Sequence, residues 1–311
     1  MRQLKPDFMN NLTNNDGKLR KILDFVQADA SLSLEIRNDY INIYYRGGNL
    51  YKIDNKYEYF TDTGYFIDYT GKNDSLIPTA EKLYKAGKYL EAIPFIKAAM
   101  DRYICYKKSY GEKEVQQLTV YENNRSPIAN STHYYIADFE YENMENGSRF
   151  DLVAIKWENK RGLKAKLCII EVKFGYKTID NSNSSLQSGD KSSDITKHLD
   201  DAIKFFSDTE KVETLKIEAI TLFNQKQELE LISPIGENKV KKLDTLEGTP
   251  EFMLWLVNYP PNSTTLSTAL NNNKDKILEI KGFDFVIASS SFAGYALFDD
   301  KVVKIKDFMG W

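Results

Sequence analysis

The first sustained apolar pattern in the chain is helical. Between Gly17 and Ala30, Leu19, Ile22, Leu23 and Val26 recur at spacings of three and four, which predicts an amphipathic helix. The period then shortens to two. Ile41-Asn42-Ile43-Tyr44-Tyr45 and Leu50-Tyr51-Lys52-Ile53 flank Arg46-Gly47-Gly48-Asn49, the pattern of a β-hairpin. The Gly pair has neither a Walker lysine nor a following helix, so a turn outweighs a phosphate loop there. Tyr57 to Tyr69 reads as further short aromatic strands broken at Gly64. Helical spacing returns from Thr79 to Tyr106, with Pro94 as a break or a first-turn position.

The middle of the chain predicts a helix over Glu112–Tyr121 and three strands over His133–Glu142, Arg149–Trp157 and Lys166–Phe174. The second and third strands are nearly continuous apolar runs, as strands covered on both faces are. Asn181 to Ser193 is too rich in Ser, Asn, Gly and Asp to pack. A helix is expected from Asp194 to Phe206 and an apolar strand from Ile217 to Phe223. Phe252–Val257 reads as a strand stopped by Tyr259-Pro260-Pro261, and Thr264–Leu270 as a helix. Two late strands, Phe283–Ala288 and Gly294–Phe298, complete the pattern. These elements predict an α/β protein: a smaller α+β region over 1–106, of no readable role, and a larger domain over 107–311.

Charge and residue inventory narrow the chemistry. Lys plus Arg number 42 against 45 Asp plus Glu, a net charge of −3, which excludes a basic field over the whole molecule and leaves only a localised basic groove. Two cysteines and two histidines exclude a disulfide scaffold and a cysteine-rich zinc site. The N-terminus has no apolar signal-peptide core and the chain no membrane-length apolar run, so a cytoplasmic protein with no membrane partner is the expectation.

Each of the two apolar runs carries carboxylate charge near one end. Asp151 lies near the start of the first, and Glu171-Val172-Lys173 near the end of the second. An unpaired carboxylate is costly to bury, so such residues sit at an exposed strand end or beside a cation or metal. On a strand, Glu171 and Lys173 share a face. If the two strands are antiparallel neighbours, Asp151 comes close to Glu171. A solvated strand end satisfies the same pattern.

A helix glutamate, Glu114, followed by Asp151 and then Glu171-Val172-Lys173, resembles the PD-(D/E)XK nuclease superfamily. The resemblance covers roughly residues 110 to 225 and the order helix–strand–strand–strand–helix–strand. Phe150 stands where the family usually has proline. The resemblance implies a restriction-endonuclease-like core, a central mixed β-sheet flanked by helices. It also implies a Mg²⁺-dependent nuclease, with Mn²⁺ as a substitute metal, acting on DNA ahead of RNA, as in bacterial defence or restriction. By the same resemblance, Asp151, Glu171 and the Val172 carbonyl hold the metal, Lys173 positions the attacking water, and Glu114 is an outer-shell or second-metal carboxylate. Lys197 and His198, on the helix after the Glu-x-Lys strand, would contact phosphate, with Gln117 beside Glu114 on its helix face.

Other readings stay open at this point. The scaffold also serves as a silent nucleic-acid- or protein-binding module, or as an RNA-directed nuclease, and a homodimer or a partner subunit is equally compatible. Lys197 and His198 also fit a plain polar helix face capped by Asp194. The basic turn of Lys156, Lys160, Arg161, Lys164 and Lys166 fits either a nucleic-acid backbone or a solvated hairpin end.

Overall fold

The computed structural model describes residues 1–107, 111–143, 147–157, 164–175, 195–233, 240–259, 264–290 and 294–311. The chain divides into two compact units, 1–117 with 228–231, and 118–227 with 232–311. The sequence places the boundary near 106; the units divide between Gln117 and Leu118, inside a helix.

The first unit opens with α1 (Pro6–Thr13) and α2 (Arg20–Ala28), whose buried Ile22, Leu23 and Val26 are the predicted stripe. A four-stranded antiparallel meander follows: β1 (Leu32–Ile36), β2 (Ile41–Tyr45), β3 (Gly48–Ile53) and the two-residue β4 (Tyr59–Phe60). The hairpin falls where the Gly pair predicts it, with Tyr45 opposite Gly48. Arg46 and Gly47 take φ of 50° and 73°, the turn whose twist matches paired strands. Gly47 is also needed for space, because a Cβ there would lie 2.6 Å from the Lys113 backbone.

Helix replaces strand at Thr63–Phe66, a single 3₁₀ turn in the segment read as aromatic strands. The long helical pattern is two helices, α3 (Leu76–Lys85) and α4 (Tyr89–Lys107). The break lies at Gly87, whose φ of 71° ends α3, and Pro94 is accommodated inside α4. Into the second unit runs the C-terminal part of α5 (Glu112–Asn124).

A six-stranded mixed sheet of order β10-β9-β8-β7-β6-β5 forms the second unit. β5 (Tyr134–Asn143), β6 (Ser148–Lys156) and β7 (Lys166–Phe174) form an antiparallel meander. β8 (Glu251–Val257) and β9 (Asp284–Ser290) then run parallel to β7. Parallel neighbours need helical crossovers, supplied by α6 (Ile195–Phe206) and α7 (Thr209–Glu228), then by α8 (Thr265–Asn272) and α9 (Lys274–Leu278). β10 (Val302–Lys304) pairs antiparallel on the edge, and α10 (Ile305–Met309) ends the chain.

Two sequence expectations fail here. Ile217–Phe223 is not a strand but the middle of α7, whose buried Val212, Leu215, Ala219, Leu222 and Phe223 keep helical spacing over a window longer than the apolar run. Gly294–Phe298 is irregular, and the last strand, β10, follows it at the sheet edge. Asn124 pins the β5 irregularity between Ile136 and Asp138, its side-chain amide bonding both Ile136 N–H and C=O at 2.9 Å. Among the described residues, no helix is long and apolar enough to cross a membrane.

Candidate functional site

The β6–β7 ladder sets the spacing of the site. It runs from Lys156↔Lys166 to Leu152↔Ile170, so Asp151 and Glu171 occupy the next step on the two strands. Asp151 Oδ2 accepts a hydrogen bond from Val172 N–H at 2.8 Å, which ties this carboxylate to the Glu-x-Lys backbone. Glu171 and Lys173 project from one face of β7, and Lys173 Nζ donates to Glu171 Oε1 at 2.8 Å. Both are buried, Lys173 to 2% exposure. Their β8 neighbours, Leu254 and Leu256, are apolar, so each charge depends on the other.

A third group comes from α6. Ile195, Leu199, Ala202, Phe205 and Phe206 form its buried face, and His198 sits one turn from Ile195 and Ala202. His198 Nδ1 lies 3.1 Å from Glu171 Oε1, and Nε2 lies 3.1 Å from Lys173 Nζ. An ammonium only donates, so Nε2 accepts and the ring proton resides on Nδ1, facing the carboxylate. Burial lowers the His198 pKa below its ordinary value; Lys173 and Lys197 push the same way, while Glu171 and Asp201 oppose. A neutral imidazole therefore bridges a carboxylate and an ammonium.

Of the residues singled out in the sequence, Asp151, Glu171, Val172, Lys173 and His198 come together. Lys197 is on α6 but exposed. Glu114 and Gln117 belong to the first unit. There Glu114 accepts from Arg46 Nε at 2.8 Å, and Arg46 also pairs with Asp101 at 2.7 Å. Gln117 Oε1 accepts from Gly47 N–H at 2.7 Å, and its amide donates to the Ser31 and Tyr44 carbonyls at 2.8 and 3.2 Å. Both side chains thus brace the β2–β3 turn.

The basic turn divides. Lys156 and Lys166 face inward and bind Glu251 Oε1 at 2.9 and 2.8 Å. Lys156 also pairs with Asp299, and Tyr134 Oη donates to Glu251 Oε2 at 3.0 Å. Burial opposes the charge on Lys156 but is outweighed by Asp299 and Glu251, which together raise its pKa. Lys164 is exposed. Lys160, Arg161, Asp194 and the stretch 181–193 lie outside the described residues. The sequence signal for this knot was Glu251 itself, a lone carboxylate heading an otherwise apolar strand, Phe252–Val257.

Among the described residues, no three His, Cys, Asp or Glu side chains converge as a ready-made metal cage. The Asp151 and Glu171 carboxylates, with the Val172 main-chain carbonyl that the sequence expectation adds, would make an all-oxygen donor set, which suits a hard divalent ion completed by water. No family model, no curated protein and no solved structure matches this chain.

Proposed function

We propose that the second unit is a metal-dependent nuclease hydrolysing phosphodiester bonds, with DNA ahead of RNA as substrate. The observation that carries this reading is the Asp151 carboxylate tied to Val172 N–H at 2.8 Å, next to Glu171, whose Oε1 lies 2.8 Å from Lys173 Nζ. The topology supports it. A helix, an antiparallel meander of β5, β6 and β7, a helical crossover and a parallel β8 accord with a restriction-endonuclease-like core, the strand expected over 217–223 being supplied by β8.

In this reading Asp151, Glu171 and the Val172 carbonyl would hold Mg²⁺, or Mn²⁺ in its place. A bound divalent ion lowers the pKa of its water and neutralises charge on the scissile phosphate. Lys173 orients the attacking water and sets a fixed positive charge where negative charge grows on the phosphoryl oxygens. His198 holds Lys173 against Glu171, so that neither side chain must reorganise during the reaction. Water would add to phosphorus as the P–O bond to the leaving strand breaks, and the proton given up by the water would end on the departing oxygen.

The test is cleavage of linear, circular and single-stranded DNA and of RNA, in Mg²⁺, Mn²⁺ or EDTA, by the wild type, Lys173→Ala and Lys173→Met. The methionine keeps the buried stem without the charge. Cutting in either metal, none in EDTA, and a loss of about 10²–10⁴-fold in both variants is the expected result. A wild type that cuts nothing, or variants that cut equally well, overturns the reading. Titration calorimetry adds a check on the ligands: Asp151→Ala with Glu171→Ala is expected to abolish Mg²⁺ binding.

A further inference from the structure

Beside the Asp151–Glu171–Lys173 site the second unit carries a cleft of about 170 Å³, roughly ten times the space one water needs. Arg149 and Phe150 of β6, Asp201, Lys204 and Phe205 of α6, and Lys211 of α7 line it. Three cations from three separate elements thus face one carboxylate. In a chain of net charge −3 such a concentration does not follow from composition.

The cations are disposed to receive a ligand. Arg149 and Lys204 are exposed, and among the described residues neither makes an ion pair. Lys211 stands 3.7 Å from Asp208, at the limit of a salt bridge. The floor is apolar. Phe150 packs edge-on against Phe205, with centroids 4.9 Å apart, and stacks on Tyr141 at 5.8 Å. The apolar floor limits hydration of an anion seated on it, while the exposure of the cations keeps the attraction salt-dependent.

Its position gives the cleft a role. Arg149 is two residues before Asp151, roughly 7 Å along the strand. Lys204 is six residues after His198, roughly 9 Å along the helix axis. One nucleic-acid strand carries a charge every 3.4 Å or so of helix axis. The cleft therefore lies within a few phosphates of the carboxylate pair.

We infer that this cleft grips the sugar–phosphate backbone of the substrate strand beside the scissile phosphate, with Arg149 and Lys204 as its main phosphate contacts. The inference rests on the nuclease reading above and adds where the strand lies. Asp201 is the one carboxylate among the lining residues, set against three cations.

Binding in EDTA isolates this step from turnover. Fluorescein-labelled single-stranded DNA, duplex DNA and RNA are titrated by anisotropy between about 50 and 200 mM salt. The proteins are the wild type, Arg149→Gln with Lys204→Gln, and Lys301→Gln, an exposed lysine paired with its neighbour Asp300. Loss of two phosphate contacts is expected to weaken binding about tenfold or more at the low-salt end. It is also expected to flatten the slope of log K against log salt by about 1.5. Lys301→Gln stays at wild-type values, and the arm with the tightest binding identifies the strand type. A wild type that binds none of the strands, or a double variant with unchanged affinity and slope, overturns the inference. Failure here is distinct from failure of the nuclease reading, because Lys173-dependent cutting is measured separately and needs neither cleft residue for chemistry.

Discussion

His198 lies between Glu171 and Lys173, and both ring nitrogens are engaged. Protonating Nε2 would set a second cation against the Lys173 ammonium, the direction in which burial already acts. Stability should follow. The unfolded chain takes up the proton near the ordinary value of 6.5 while the folded chain resists it. Folding stability is therefore expected to fall as pH drops below 6.5 and to level off below the folded-state value. In His198→Gln this part of the pH dependence disappears, as guanidinium unfolding at a series of pH values will show. Asp151, Glu171 and Lys173 were legible in the sequence because charge inside an apolar run must find a partner. The histidine was legible as a neighbour of the site but not in its orientation. Helix spacing places His198 next to the buried face; only the packing of α6 turns it onto the Glu-x-Lys pair and leaves Lys197 outside.

Elements with an unambiguous period were readable, and those with competing periods were not. β2, β3, β6 and β7 alternate or run apolar between turn residues, and fall where expected. Residues 217–223 satisfy a strand template locally, yet the helical stripe through Val212 and Leu215 outweighs it. β1 was missed because Leu32–Ile36 contains Ser33 and Glu35, both buried through a 3.0 Å hydrogen bond to each other. A similar long-range pairing hid the meaning of Lys156 and Lys166, which look like a solvated turn until β8 brings Glu251 between them. That carboxylate joins β5, β6, β7 and β8 through Tyr134, Lys156 and Lys166. Glu251→Ala removes the buried partner shared by Lys156 and Lys166, leaving Lys156 with Asp299 alone, and is expected to cost about 1–3 kcal/mol, measured by chemical denaturation. Glu251→Gln, which keeps acceptor capacity, is expected to cost less.

At the scale of the molecule, the small net charge of −3 excludes a basic field over the whole surface, so the proposed grip on nucleic acid falls to one cleft. The division of the chain was the feature least open to sequence reading, since the boundary falls inside α5, where helical periodicity is unbroken. Residues 228–231, at the end of α7 and just beyond, return to the first unit, and Gln27 Nε2 donates to the Leu229 carbonyl at 2.8 Å. This return has a consequence for biosynthesis. A ribosome delivers the N-terminal unit early but withholds its last piece until most of the neighbouring unit has been translated. Nascent chains halted short of residue 228 are accordingly expected to stay sensitive to protease within 1–117, and chains that extend beyond 231 to become resistant. The same interleaving means that neither unit can be transplanted by a single cut in the gene.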